Sequence, residues 1–171
     1  AWRRPTNDAY PELARLPSPF TVFVYPKFIG QTPHALTWAP VREMSKNGAD
    51  IHSHSLSHPF LTSRRHPSLD VKSYNAWLES ELLDSKKILE KETGRPVNFL
   101  AYPYGDYDSS VARSVARAGY AAAPTCDFAR VHRGSDPLPL PRVVVATRMS
   151  FSSFRPYLRF NPPRLPDTTP H

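Results

Sequence analysis

The sequence has 171 residues, 40% of them apolar, which is enough for one domain with a hydrophobic core and too few for two ordinary domains. No apolar run approaches the roughly 20 residues that span a bilayer, and the first residues lack the apolar stretch of a signal peptide. The single cysteine, Cys126, excludes an internal disulfide framework and a multi-cysteine zinc site. The net charge of +7 favours an anionic partner, but the basic residues are scattered and match no nucleic-acid-binding motif, so we expect a solvated basic surface.

The first third of the chain predicts strand, helix and strand in that order. Residues 20–25 form a β-rich apolar run closed by a proline, as expected of a buried strand. A helix is predicted to begin at Thr37, a possible N-cap, and to stop at Gly48. Residues 50–52 follow as a short strand that leads into a histidine-rich segment.

The rest of the chain continues the alternation. The longest helix is predicted over residues 70–93, with apolar side chains along one face and Gly94 as its C-terminal stop. The further predicted elements are strands at 97–101, 120–123 and 142–145, a helix that begins at Asp108 and ends before Gly119, and a last helix over 150–160. This order predicts an α/β fold in which parallel strands are covered by helices. The proline-rich residues 161–171 are predicted to form a loose tail.

Three of the seven histidines, His52, His54 and His58, fall within seven positions. If the segment after the strand forms a helical turn, His54 and His58 share a face and can chelate one ion through neutral imidazole nitrogens. If it stays extended, His52 and His54 share a face instead. A metal site that hydrolyses a substrate needs at least one further ligand and an open position for water. The alternative is a polar loop with exposed histidines.

A second segment, Phe-Leu-Ala-Tyr-Pro-Tyr-Gly-Asp at residues 99–106, places aromatic rings and a glycine after a predicted strand. The carboxyl ends of parallel strands are where barrel folds carry their active sites. An ordinary turn between a strand and a helix is the alternative interpretation.

Together, these two segments resemble the polysaccharide deacetylase family, also called the NodB homology domain or carbohydrate esterase family four. His-Ser-Leu-Ser-His at residues 54–58 matches the family's His-[Ser/Thr]-x-x-His metal motif, with His52 where glycine is common. Ala-Tyr-Pro-Tyr-Gly at 101–105 resembles its third motif in the branch that lacks an arginine there. The resemblance covers residues 1–160, which we predict to be one deacetylase domain.

The sequence departs from the family at one important place. Members carry a Thr-Phe-Asp-Asp segment at the end of their first strand, where one aspartate acts as base and the other binds the metal, and no Asp-Asp pair occurs here. Residues 1–13 resemble the stretch that directly follows that pair. We therefore expect the first strand and both aspartates to lie upstream of Ala1, and we expect this chain to show little or no turnover. Asp50 or Asp106 could replace the missing ligand.

The resemblance implies a distorted (β/α) barrel of about seven strands, here without its first strand. It implies a divalent metal, zinc by preference, held by His54 and His58, and a backbone N–H of Tyr104 that stabilises the oxyanion. Tyr102, Pro103 and Tyr104 would contact the substrate, while His52 would support the site without binding the metal. The implied substrate is an acetylated polysaccharide, N- or O-acetylated, met outside the cytoplasm. A catalytically inactive relative that binds glycan is the alternative, and nucleic-acid binding ranks last.

Overall fold

The computed structural model describes residues 10–32, 35–145 and 149–158. Two strands are present in this part of the chain, β1 (Thr21–Val24) and β2 (Asp50–Ser53). The helices are α1 (Tyr10–Leu13), α2 (Trp38–Lys46), α3 (Val71–Thr93), α4 (Ser109–Arg117) and α5 (Phe151–Phe154). Short 3-10 helices lie at Pro26–Phe28, Ser63–Arg65, Pro103–Gly105 and Arg155–Leu158.

The strands run parallel, as the alternating order of elements predicted. β1 pairs with β2 in a register that sets Val22 opposite Ile51 and Val24 opposite Ser53. Three isolated parallel bridges extend the row across the molecule: Ser53 to Leu100, Phe99 to Ala122, and Pro124 to Leu140. The fold is therefore α/β with parallel neighbours, each reached by a crossover.

The later predicted strands are shorter than expected. Residues 97–101 and 120–123 contribute single bridges, not ladders. The strand predicted at 142–145 is wrong: these residues have no regular secondary structure, and the pairing occurs earlier, at Leu140. Pro137, Pro139 and Pro141 lead into this segment without backbone N–H donors, and the Arg142 N–H donates to the backbone oxygen of Asp127 in an irregular loop instead of to a strand partner.

The long helix α3 contributes many of the buried side chains of the domain. Its N-cap Asp70 accepts a 2.8 Å hydrogen bond from the Ser73 N–H, and Gly94 ends it with φ of 67°. The inward side chains of the helix are mostly apolar, but Glu81 and Ser85 are also buried on that stripe. Buried polar groups need partners, so these two residues point to polar structure directly beneath the helix.

The hydrophobic core lies between the helices and one face of the strand row. It joins Val24 and Ile51 of the strands to side chains of α2, α3 and α4, with fully buried members that include Val41, Leu89 and Val111. Burying one such side chain contributes about 1.5 to 3 kcal/mol. The core therefore fixes the strands from the helix side and leaves the loops at their carboxyl ends to form the site.

The last predicted helix is only partly present. α5 and the 3-10 helix after it cover residues 151–158, and residues 159–171, with the predicted tail, lie outside the described part of the chain. None of the described helices is both long and apolar enough to span a membrane. The predicted domain boundary at residue 160 stays a prediction.

Candidate functional site

The two motif histidines meet just beyond the end of β2. The Nε2 atoms of His54 and His58 lie 3.2 Å apart, and their ring centroids are separated by 4.5 Å. The Nδ1 atom of His54 lies 2.8 Å from the backbone oxygen of Ala101, which only accepts, so Nδ1 carries the proton. The Nε2 lone pair of His54 is therefore directed at His58.

The backbone between the histidines is an irregular loop, and it adopts neither the helical turn nor the extended strand that were the two alternatives for this segment. Ser55 and His58 both adopt left-handed conformations, with φ of 61° and 60°. Such values are uncommon outside glycine and are held only where the surroundings impose them. The imposing contacts are short: the His58 N–H donates to Ser55 Oγ at 3.0 Å, and the Ser55 N–H donates to Ser53 Oγ at 3.1 Å. The two rings therefore converge, as the helical-turn alternative predicted, but the backbone that brings them together is an irregular loop.

We call residues 54–58 the histidine loop, and helix α3 holds it from below. The Ser85 hydroxyl donates to the backbone oxygen of Ser55 at 3.1 Å and lies 2.8 Å from Ser53 Oγ. The Glu81 carboxylate accepts from both the N–H and the hydroxyl of Ser57, at 2.9 and 2.6 Å. The two buried polar residues of the helix, Glu81 and Ser85, thus find their hydrogen-bond partners in the loop and hold it in place. The sequence signal for this role was a Glu on the inward stripe of the helix, and the role was not predicted from it.

The Pro-Tyr-Gly turn forms the other wall of the site. Tyr104 has φ of 58°, and its ring lies 4.6 Å from that of His58. Its backbone N–H donates to no acceptor among the described residues. Gly105 is required, because a Cβ there would lie 2.8 Å from Cys126 Cβ. The turn therefore presents a free N–H and an exposed ring beside the histidines.

Two of the three predicted substrate contacts are not at the surface. Tyr102 is fully buried and packs on the ring of Tyr107 at 5.1 Å, and Pro103 is also buried. Tyr104 alone of the three is exposed, at 58%. Because Tyr102 and Pro103 are buried in the described structure, substrate contact by these two residues stays a prediction that their burial does not support.

The side chain of Asp106 connects the two motif segments. The Asp106 carboxylate accepts from the N–H and hydroxyl of Thr62, both within 2.9 Å of Oδ2, and from Arg64 at 3.2 Å. Burial raises the pKa of Asp106, but the hydrogen bonds from Thr62 and Arg64 outweigh burial and hold it below its usual value. The carboxylate of Asp106 is thus occupied by Thr62 and Arg64 and bonds to neither histidine. Asp50 opens β2, about 13 Å of strand from His54. Neither aspartate is placed to replace a missing ligand.

The pair of histidines fits a divalent cation as two of its ligands. Two nitrogens bound at 2.0–2.1 Å to a tetrahedral ion lie about 3.3 Å apart, close to the separation of the two Nε2 atoms. Burial lowers the pKa of His54 to about 4, against the effect of its bond to Ala101, and burial also lowers the pKa of His58. Both rings are therefore neutral near pH 7, as a metal requires. In the described ranges, no group of three or more His, Cys, Asp or Glu side chains is arranged for a metal.

His52 lies in β2 and takes no part in the pair. Its ring packs edge-on against Phe99 at 4.6 Å and lies 6.4 Å from Phe23. Its Nδ1 is buried and has no hydrogen-bond partner among the described residues. By strand alternation His52 faces away from Ser53, whose hydroxyl meets α3. It therefore lies on the face opposite the helices.

Comparison with known proteins decides the family. The family model described as "Polysaccharide deacetylase" matches residues 1–123. The chain belongs to the polysaccharide deacetylase family. It is 30% identical over 152 residues to the Bacillus subtilis protein named "Putative polysaccharide deacetylase YxkH", a match that covers 89% of this chain and 51% of the relative. The chain thus spans about half the length of that curated relative.

Solved structures of other deacetylases share the fold. The Streptococcus pyogenes deacetylase PplD, solved in complex with acetate, superposes with a TM-score of 0.79 at 23% identity, over 92% of this chain and 66% of that one. The polysaccharide deacetylase BC0361 of Bacillus cereus superposes with a TM-score of 0.76 at 24% identity, over 92% and 48% of the two chains. At these identities the likeness shows the fold of the polysaccharide deacetylases and no more.

Proposed function

We propose that this chain carries the metal-binding half of the active site of a metal-dependent hydrolase, which removes acetyl groups from an N-acetylated or O-acetylated polysaccharide. The observation that carries the proposal is the 3.2 Å approach of the Nε2 atoms of His54 and His58, two neutral rings beside a free backbone donor. Family membership supports the reaction class. The acetate in the PplD structure is the product that such a reaction releases.

His54 and His58 would hold the ion, zinc by preference, and Ala101 fixes His54 in the tautomer that leaves Nε2 free. When bound, a divalent ion activates water and polarises the acetyl carbonyl. The N–H of Tyr104 would donate to the carbonyl oxygen as negative charge develops on it, a contribution of about 3 kcal/mol for one such donor. Two hydrogen bonds hold the turn and its donor in place before the substrate arrives, from the Gly105 N–H to the Tyr102 oxygen at 3.0 Å and from the Asp106 N–H to the Pro103 oxygen at 2.9 Å.

The general base is the part of the proposal that this sequence does not supply. It contains no Asp-Asp pair, and the buried carboxylates of Glu81 and Asp106 already accept from Ser57 and Thr62. We therefore expect little or no acetate release from these 171 residues alone. A chain that also carries an Asp-Asp pair in the family's position is expected to be active.

We further propose that the row of parallel segments is part of a distorted (β/α) barrel. Parallel pairing, crossovers and helices packed on one face support this, as does the likeness to deacetylases of known structure. An acetylated polysaccharide is met in the periplasm, cell wall or exterior, so the proposed place of action is outside the cytoplasm.

Zinc content tests the site independently of turnover. The chain is expected to bind zinc through the histidine pair, more weakly than a three-ligand site, and His54→Ala and His58→Ala should each abolish that binding. His132→Ala, which removes an exposed histidine, is the matched control and should bind as the parent does. Equal zinc binding by the parent and both pair variants, measured by equilibrium dialysis with metal analysis, would refute the assignment.

Acetate release tests the reaction. A longer recombinant chain that includes the upstream-encoded residues, loaded with zinc, should release acetate from N-acetylglucosamine oligomers or acetylated xylan. If it binds zinc stoichiometrically and releases none, the hydrolase proposal fails.

The alternative function is glycan binding without cleavage. The absence of an Asp-Asp pair from the sequence favours it. Reading the DNA upstream of the codon for Ala1 separates the two: an Asp-Asp pair there supports the hydrolase, and its absence supports the binding protein.

A further inference from the structure

Three side chains form a column beside the histidines, which we call the ring stack: Tyr104, Phe60 and Arg65. The Tyr104 and Phe60 rings stack with centroids 4.3 Å apart and planes 21° from parallel. The Arg65 guanidinium carbon lies 4.5 Å from the Phe60 centroid, and at the other end Tyr104 contacts the ring of His58. The rings are 58% and 36% exposed, so the column is accessible from its side.

The ring stack is rigidly mounted on α3. The backbone oxygen of Phe60 lies 2.7 Å from His66 Nε2, and the His66 ring packs at 4.1 Å on Trp77. The next residue, Leu61, is fully buried, and its backbone oxygen accepts from the Tyr74 hydroxyl at 2.7 Å. An exposed aromatic surface whose backbone is fixed in this way loses little conformational entropy when a ligand binds.

Arg65 brings a positive charge that nothing in the described part of the chain neutralises. Its guanidinium forms no hydrogen bond or ion pair with a described residue, whereas the neighbouring Arg64 bonds Asp106 at 3.2 Å. The guanidinium carries five N–H donors in a planar fork, and none of them is used within the described part of the chain, so they remain available to a ligand at this end of the column. A carboxylate arriving there meets a planar fork that matches its two oxygens.

We propose that the ring stack is a binding subsite for an acidic sugar, one that carries a carboxylate and neighbours the acetylated sugar in the same polysaccharide chain. This rests on the proposed function, which places the acetyl group at the histidine pair. Tyr104 contacts both His58 and Phe60, so one glycan chain can pass from the histidines to Arg65 without leaving the surface. The exposed ring edges offer contact to the C–H groups of the sugars, and Arg65 selects for charge.

Two tetrasaccharides test the subsite in the full chain. One alternates N-acetylglucosamine with glucuronic acid, and the other is the neutral N-acetylglucosamine tetramer. Dissociation constants from NMR titration need no catalysis. The parent should bind the acidic ligand about three to five times more tightly at low salt. Arg65→Gln should remove that preference, and Arg65→Lys, which keeps the charge and loses the fork, should retain part of it.

Matched variants separate the subsite from a general charge effect. Arg113→Gln removes an exposed charge from α4 and should leave the preference unchanged. Phe60→Ala removes the support of Arg65 and should weaken both ligands, the acidic one more, while Phe60→Trp should restore binding. Circular dichroism will show that each variant is folded.

The outcomes are distinct. The subsite is refuted if the parent does not prefer the acidic ligand, if Arg113→Gln acts as Arg65→Gln does, or if Phe60→Ala binds both ligands as the parent does. If the preference behaves as expected but the upstream-extended, zinc-loaded chain releases no acetate, the hydrolase function fails and the acidic-sugar subsite stands.

Discussion

Replacing Asp106 by alanine is expected to lower the free energy of unfolding by about 3 kcal/mol. The carboxylate is only 7% exposed and joins the segment after the histidine loop to the Pro-Tyr-Gly turn. Removing it leaves the N–H and hydroxyl of Thr62 buried without an acceptor. Each hydrogen bond to a charged group contributes about 1.5 to 3 kcal/mol.

The two partners of Asp106, Arg64 and Thr62, contribute unequally to the free energy of unfolding. Arg64 has a side chain that is 72% exposed, so water screens its ion pair and its loss should cost well under 1 kcal/mol. The larger part of the effect must come from Thr62, which is fully buried. Thr62→Val alone should therefore cost about 1 to 2 kcal/mol, and the double variant with Asp106→Ala should cost less than the sum of the two.

Urea unfolding followed by circular dichroism measures these differences. Asp127→Ala is the control, since that exposed carboxylate accepts one hydrogen bond from a described residue, Tyr107, and should cost about 0.5 kcal/mol. A cost for Asp106→Ala no larger than that of the control, or strict additivity of its effect with that of Thr62→Val, would contradict this assignment of the hydrogen bonds.

The same carboxylate predicts a pH dependence. Its pKa in the folded chain lies below the value of about 3.9 expected when unfolded, so between the two values the unfolded state binds more protons. The stabilisation from Asp106 is therefore complete above about pH 5 and is lost as the pH falls through the folded pKa. The difference in unfolding free energy between the parent and Asp106→Ala should shrink below pH 4, and a difference that grows there would contradict the assignment.

Five further substitutions, at four positions, test the loops and the end of α3. Glu81→Gln should cost about 2 kcal/mol in urea unfolding, because one of two hydrogen bonds from the histidine loop meets an amide instead of a carboxylate oxygen. Gly94→Ala should cost about 1 kcal/mol for its positive φ alone, whereas Gly105→Ala should cost about 3, because its new Cβ also collides with a neighbour at 2.8 Å; equal costs would refute this. Tyr104→Gly should be about 1 kcal/mol more stable than Tyr104→Ala, since glycine relieves the left-handed strain.

The sequence predicted the features that depend on local pattern. The helix that ends at Gly94 was predicted almost to the residue, because its cap and stop residues are explicit. The approach of His54 to His58 was predicted from spacing, but its backbone was not, since the serine side chains that bend the loop find their partners on α3, over 20 residues away. The burial of Tyr102 was missed for a related reason: the face that a strand residue takes depends on which neighbours it pairs with.

The serine contacts beneath the histidine loop also determine which segments of the molecule open together in local unfolding. Because Ser53, Ser55 and Ser85 share hydrogen bonds, the loop cannot swing open without exposing the buried middle of α3. Loop and helix should belong to one cooperative opening unit. In native-state deuterium exchange, the amide protons of Ser55 and His58 should then be protected nearly as strongly as those of central α3, which is unusual for residues in an irregular segment.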